Sequence, residues 1–168
     1  MLQFLRRVDG RNLDGEYRTD QYAALVVPEL DNLRAAYTWA SSGEGEPSVA
    51  IALAAHAGSM IDYAAECADW LLPHQSSVEQ GAVDAAVAAR YWRALAAGNM
   101  SGRLPLARCV EAAQRARAGY RALGHPRREF SSLIRLIGYL LSQGDDGAAR
   151  VAFDEARRQV LAAAAMIA

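Results

Sequence analysis

The chain has 168 residues, 52% of them apolar and 22% charged, with a formal net charge of −1. That apolar share supports a sizeable core and excludes wholesale disorder. All 18 basic residues are arginine, so a P-loop lysine, a Schiff-base lysine and a lysine general base are excluded.

Taken in chain order, residues 1–18 read as a linker or ragged entry, because Asp9 to Tyr17 is polar and carries glycine. Residues 19–168 read as one helical domain. Helical signal begins near Thr19, Pro28 marks a break or helix start, and Leu30, Leu33, Ala36, Tyr37 and Ala40 share one face. After the loop Gly43–Glu46, Pro47 is placed to open a helix running to Ile61, with Ala52, Leu53, His56, Ala57 and Met60 at helical spacing. A shorter helix follows from Ala64 to Leu72, stopped by Pro73. Ser76 and Glu79 have capping-box spacing, predicting that the next helix starts there and runs to about Ala97, closed by Gly98-Asn99.

Leu106, Cys109, Val110, Ala113, Arg117 and Tyr120 trace a further helix up to Leu123, which Gly124-His125-Pro126 ends. Leu133, Leu136, Ile137, Leu140 and Leu141 fall at amphipathic spacing. Gly144-Asp145-Asp146 supplies a C-terminal glycine and an N-cap, and Ala149, Ala152, Phe153, Ala156 and Val160 form the facing stripe. No period-two alternation persists, so the predicted class is all-α: antiparallel hairpins, at roughly residues 47–73, 79–123 and 127–165, stacked as a degenerate α-solenoid.

Two resemblances sharpen this. Leu133, Leu136, Leu140, Gly144, Ala149, Phe153 and Ala156 resemble a tetratricopeptide repeat (TPR), except that Ile137 stands where a small residue is usual and Gly138 is displaced by one. Glu29-Leu30-Asp31-Asn32-Leu33-Arg34-Ala35-Ala36-Tyr37-Thr38-Trp39-Ala40 resembles the Glu-x-Asp-Asn-Leu-Arg-Ala-Ala-x-x-Trp-Ala segment of large bacterial signal-transduction ATPases and transcriptional regulators. Glu66 with Trp70-Leu71 is similar to that family's next element, and Ala122–Pro126 and Gln143–Asp145 resemble its inter-repeat turns. The resemblance implies a regulatory helical-repeat module downstream of a nucleotide-binding domain. With no lysine, this chain cannot complete a Walker motif itself, so any ATPase or promoter-binding activity would lie elsewhere in a longer protein.

Cys67 and Cys109 are too few for a disulfide framework and lack CxxC spacing, so a reduced, cytoplasmic setting is expected, with both thiols as packing residues. No secretory leader is evident at Met1–Arg7, and no apolar run reaches the ~20 residues of a membrane span. Residues 1–100 carry 7 Arg against 13 acids, and residues 101–168 carry 11 Arg against 6, a dipole suited to orienting a partner.

Chemistry-bearing groups are sparse. His56, His74 and His125 lack metal-ligand spacing; His56 reads as a satisfied core residue, and His125 sits at a helix stop. Asp145 and Asp146 read as capping residues, and Asp62, Glu66 and Asp69 as a solvated acidic face. No catalytic residue, metal site or cofactor is therefore expected. Arg108, Arg115, Arg117, Arg121, Arg127 and Arg128 cluster around one helix as a candidate oxyanion patch, or else simply complement a helix C-terminus. Tyr91 and Tyr120 are candidate peptide anchors near the edge of their helices. The expected function is non-enzymatic protein interaction or signal sensing within a transcriptional-regulator system. Its partner would be a protein or peptide, or adjacent domains, and neither nucleic acid nor membrane. The apolar end Leu161–Ala168 also suggests self-association. The alternative is a small-ligand sensor with a pocket lined by His56, Trp70 and Trp92.

Overall fold

The computed structural model describes residues 1–13, 19–58, 64–98 and 102–165. Among these the regular structure is entirely helical. Residues 14–18, 59–63, 99–101 and 166–168 are outside the described set, so the expectations at Tyr17, Met60, Ile61, Asp62, Asn99 and the end of the Leu161–Ala168 run fall beyond it.

The N-terminal residues 2–13 are helical, which their composition does not suggest. Helix α1 (Leu2–Leu13) buries Leu5, Val8 and Asp9, correcting the expectation of a ragged segment. Asp9 reads as polar punctuation in the sequence, but in the fold its charge is matched inside the core, as described below. Helix α2 (Thr19–Val26) buries Tyr22 and Val26. The break at Pro28 is a 3₁₀ turn, Val27–Glu29, leading directly into α3 (Leu30–Ala40). Proline is tolerated there because the first turn of a helix needs no donor from it.

Pro47 opens α4 (Pro47–Ala57), and every side chain from Ala50 to Ala57 is buried. Helix α5 (Ala64–Leu71) runs into a 3₁₀ turn over Leu72–His74 and then a short α6 (Gln75–Glu79). Here the expected capping box fails: Ser76 lies inside α6, which Gly81 follows with φ +81°. That left-handed turn separates α6 from α7 (Ala85–Ala96), whose true N-cap is Asp84, accepting from the Val87 amide at 2.8 Å.

Helix α8 (Leu106–Ala122) ends at Gly124, and Pro126 starts α9 (Pro126–Gln143), as the sequence predicts. Gly144 adopts φ +80°, and Asp145 caps α10 (Asp146–Ala165) by accepting from the Ala148 amide at 3.0 Å. Helix α7 packs on α4 and α8, α8 on α9, and α9 on α10, so consecutive helices bury one face on the next. Small residues set the spacing: a Cβ on Gly119 would lie 2.8 Å from the Ala89 Cβ, so α7 and α8 are in near-backbone contact. Two cores result. One joins α4, α7, α8, α9 and α10; the other gathers α1, α2 and α3 with Ala50, Leu53 and Ala57 of α4.

Candidate functional site

The most concentrated polar chemistry lies where α1, α4 and α7 meet. Asp9 is fully buried and accepts from two directions, forming an ion pair with Arg90 and lying 3.1 Å from Nδ1 of His56. A carboxylate only accepts hydrogen bonds, so Nδ1 carries the proton and donates to Asp9. Burial, followed by the charges of Arg6 and Arg128, pushes the His56 pKa down to about 4, leaving the ring neutral at pH 7. His56 is thus the satisfied core histidine that its apolar face suggests.

Next to this triad the charge balance changes. Arg90 and Arg93 share a face of α7 and interact with Arg128 of α9, while Arg135 of α9 also acts on Arg93. Burial, then the charge of Arg135, lowers the Arg93 pKa to about 10. Two phenols stand among these cations. Tyr120 of α8 is buried with its hydroxyl unbonded, and Tyr139 of α9 donates to the Ala96 carbonyl at 2.5 Å. Among the described residues neither Arg93 nor Arg135 has a carboxylate partner. Sequence reasoning missed this cluster because Arg90 and Arg93 sit in an alanine-rich run, and only the packing of α7 on its neighbours gathers the charges.

The predicted arginine patch is a different object. Arg108 bonds Glu111 at 3.0 Å and Gln75 at 2.6 Å. Arg115 bonds Glu79 at 2.8 Å and Glu111 at 2.7 Å, with its guanidinium 4.3 Å above the Trp92 ring. Arg117 and Arg121 share Glu155 and Glu129, tying α8 to α9 and α10. Arg127 and Arg128 are also engaged. Most of the set is therefore internally neutralised and fastens neighbouring helices together, so it is not an open cationic face.

Tyr91 and Tyr120 correct the expectation of edge-exposed anchors, since they are 0% and 1% exposed. Tyr91 instead donates to the Leu71 carbonyl at 3.0 Å and meets Trp92 edge-on. His56, Trp70 and Trp92 are not brought together as one pocket. His56 faces Asp9, Trp70 stacks on Tyr37 at 4.7 Å, and Trp92 lies beneath Arg115. Trp39, in the segment that carries the family resemblance, is 58% exposed. The acidic face is also paired: Glu66 bonds Arg34, and Asp69 lies 3.1 Å from Arg103. His125 precedes α9, and its amide bonds the Tyr120 carbonyl at 3.0 Å.

A groove of about 920 Å³ runs along the outer side of α9 and α10, lined by Ile137, Leu141 and Phe153 with Asp146, Arg150 and Asp154 at its rim. Leu141 and Phe153, predicted to face the core, are more than half exposed there. Cys67 and Cys109 are buried free thiols. Among the described residues no group of three or more His, Cys, Asp or Glu is placed to hold a metal ion, and no helix is long and apolar enough to cross a membrane. Comparison with protein-family models, curated proteins and solved structures finds no match for this chain.

Proposed function

We propose that the chain is a non-enzymatic, TPR-like helical-repeat module that binds a protein segment within a cytoplasmic regulator system. The observation that carries this reading is the apolar groove formed by Ile137, Leu141 and Phe153 on the last hairpin. Its floor is hydrophobic and its rim alternates Asp146, Arg150 and Asp154, a pattern suited to an amphipathic helix with apolar anchors and a charged flank. Membership of the regulatory segment of bacterial signal-transduction ATPases or transcriptional regulators draws support from the pairing of Arg34 with Glu66 and of Tyr37 with Trp70. These contacts join the two stretches that carry the resemblance.

A photo-crosslinking amino acid placed at Leu141 in the native host tests the reading. A specific protein adduct is expected at Leu141, absent when the label sits at exposed Arg158, and lost on Phe153→Glu. Phe153 is 58% exposed, so the variant should keep its helical circular dichroism. No adduct, or an adduct indifferent to Phe153→Glu, counts against the proposal.

A further inference from the structure

We propose that the helix received by the α9–α10 groove is α10 of a second copy of this chain, the two α10 helices lying antiparallel across a two-fold axis. The inference rests on the reading above that this groove accepts an amphipathic helix, and it names the partner. Whereas α7 and α8 are each covered by helices on two sides, α10 packs chiefly on α9. Its free side carries Asp146, Arg150, Phe153, Arg157, Val160 and Leu161, whose helical spacing places them on one stripe. Phe153, Val160 and Leu161 are each more than half exposed, as is Leu141 across the groove. A contiguous apolar surface with a charged rim marks an interaction face.

The charges on that stripe identify the occupant. Along α10 they run Asp146, Arg150, Asp154, Arg157, alternating negative and positive. Read from the other end the order begins positive, so the pattern is complementary to its own reversal. A two-fold interface demands this property, because residue i of one copy meets j of the other and j meets i. An unrelated partner would require no such symmetry in this chain. In an antiparallel pair centred level with Ala152, Arg150 lies opposite the second copy's Asp154 and Asp154 opposite its Arg150, while Asp146 faces its Arg157. The two Phe153 rings are then offset by about 3 Å along the helices and pack across the axis. Val160 and Leu161 reach the Gly144 turn, beside the second copy's Leu141. Among the described residues these four charges make no ion pair within the chain, although Arg150 is four residues from both Asp146 and Asp154. On neighbouring α8, by contrast, Arg115, Arg117 and Arg121 are all paired.

Sedimentation equilibrium of the full chain over a concentration series at pH 7 is the test, and the parent should reach the mass of two chains. Arg150→Asp sets like charges against each other at both symmetric contacts and should weaken association about tenfold or more, as should Asp154→Arg. Arg150 is exposed and Asp154 partly so, and both variants should keep the parent's helical circular dichroism. An equimolar mixture of the two single variants should recover the association that each lacks alone, since every contact then joins opposite charges. The double variant, Arg150→Asp with Asp154→Arg, should associate as the parent does. The proposal is overturned if the parent stays monomeric throughout the series, if the single variants associate as tightly as the parent, or if neither the mixture nor the double variant recovers pairing. A monomeric parent whose Leu141 label still captures another protein overturns self-pairing alone, whereas no adduct of any kind at Leu141 overturns docking in the groove altogether.

Discussion

Arg34 holds Glu66 through two parallel hydrogen bonds, Nε to Oε1 at 2.7 Å and Nη2 to Oε2 at 2.8 Å. One turn further along each helix, Tyr37 stacks on Trp70 and donates to its carbonyl at 2.9 Å. The fork and the stack together fix α3 against α5, and each depends on the other for its register.

A double-mutant cycle on this contact should therefore show coupling. Arg34→Met and Glu66→Gln are each expected to lower the melting temperature slightly, with the double variant no worse than the weaker single one. The Arg34 hydrogen bonds hold the Glu66 carboxyl below the usual carboxylate range. A depressed acid pKa means that its stabilisation is present above the unfolded value and is lost as pH falls through the folded one. Coupling measured by thermal melts should thus be present at pH 7 and be lost only in acid below the ordinary glutamate range. Equal coupling at both pH values would contradict the ion-pair reading.

The Asp9–His56–Arg90 triad predicts a second and larger acid sensitivity. Because the folded His56 pKa lies near 4, the unfolded chain binds a proton there between pH 6.5 and 4 that the folded chain refuses. Stability must then fall as pH drops through that window, by on the order of 3 kcal/mol. His74, also lowered by burial, adds in the same direction. His56→Gln should flatten most of the slope of unfolding free energy against pH in denaturant titrations. An unchanged slope would show that His56 is not held neutral.

Breaking the buried pair itself should be severe. Asp9→Ala leaves Arg90 buried without its counter-charge and is expected to cost ~3–5 kcal/mol. Replacing both, as Asp9→Leu with Arg90→Met, should recover much of that loss. Chemical denaturation of the three variants checks the ordering.

The near-backbone contact of α7 with α8 is testable by a compensating pair. Gly119→Ala inserts a Cβ against the Ala89 Cβ and should destabilise by ~1–3 kcal/mol. Adding Ala89→Gly reopens the space and should restore part of it, less the helix-propensity cost of placing a glycine in α7, ~1 kcal/mol. A Gly119→Ala variant as stable as the parent would mean that the helices are free to part.

Thiol accessibility offers a further measurement. Cys67 is buried and donates to the Ala57 carbonyl at 3.3 Å, and burial pushes its pKa up to about 12. A thiol-reactive dye should therefore label neither Cys67 nor Cys109 in the folded chain, and labelling should follow the global unfolding curve with urea.

Much of the helical layout was legible because its punctuation is local. Pro47, Gly124, Pro126 and Gly144 act through their own backbone, so their effects need no knowledge of distant packing. The failures share the opposite property. Ser76 has capping-box spacing, but Gly81 turns the chain before a long helix can form, and Asp84 takes the cap. Asp9 looks like linker chemistry until α7 supplies Arg90 from 81 residues away. Tyr120 sits near a polar helix edge in a wheel projection, yet α8 is covered on that side by both neighbouring helices. Charge pairing across helices, such as Arg115 with Glu79, likewise depends on placements that no single-helix pattern encodes.

Helix α4 gives Ile51, Ala52, Ala54 and Ala55 to one core and Ala50, Leu53 and Ala57 to the other. Such an axle has no spare side. Adding one residue within it would turn every later side chain through about 100° and deliver to each core the set shaped for its opposite. In a scan of single-residue insertions for soluble expression, residues 50–57 should therefore appear as an unbroken gap, while the connection at 43–46 tolerates them.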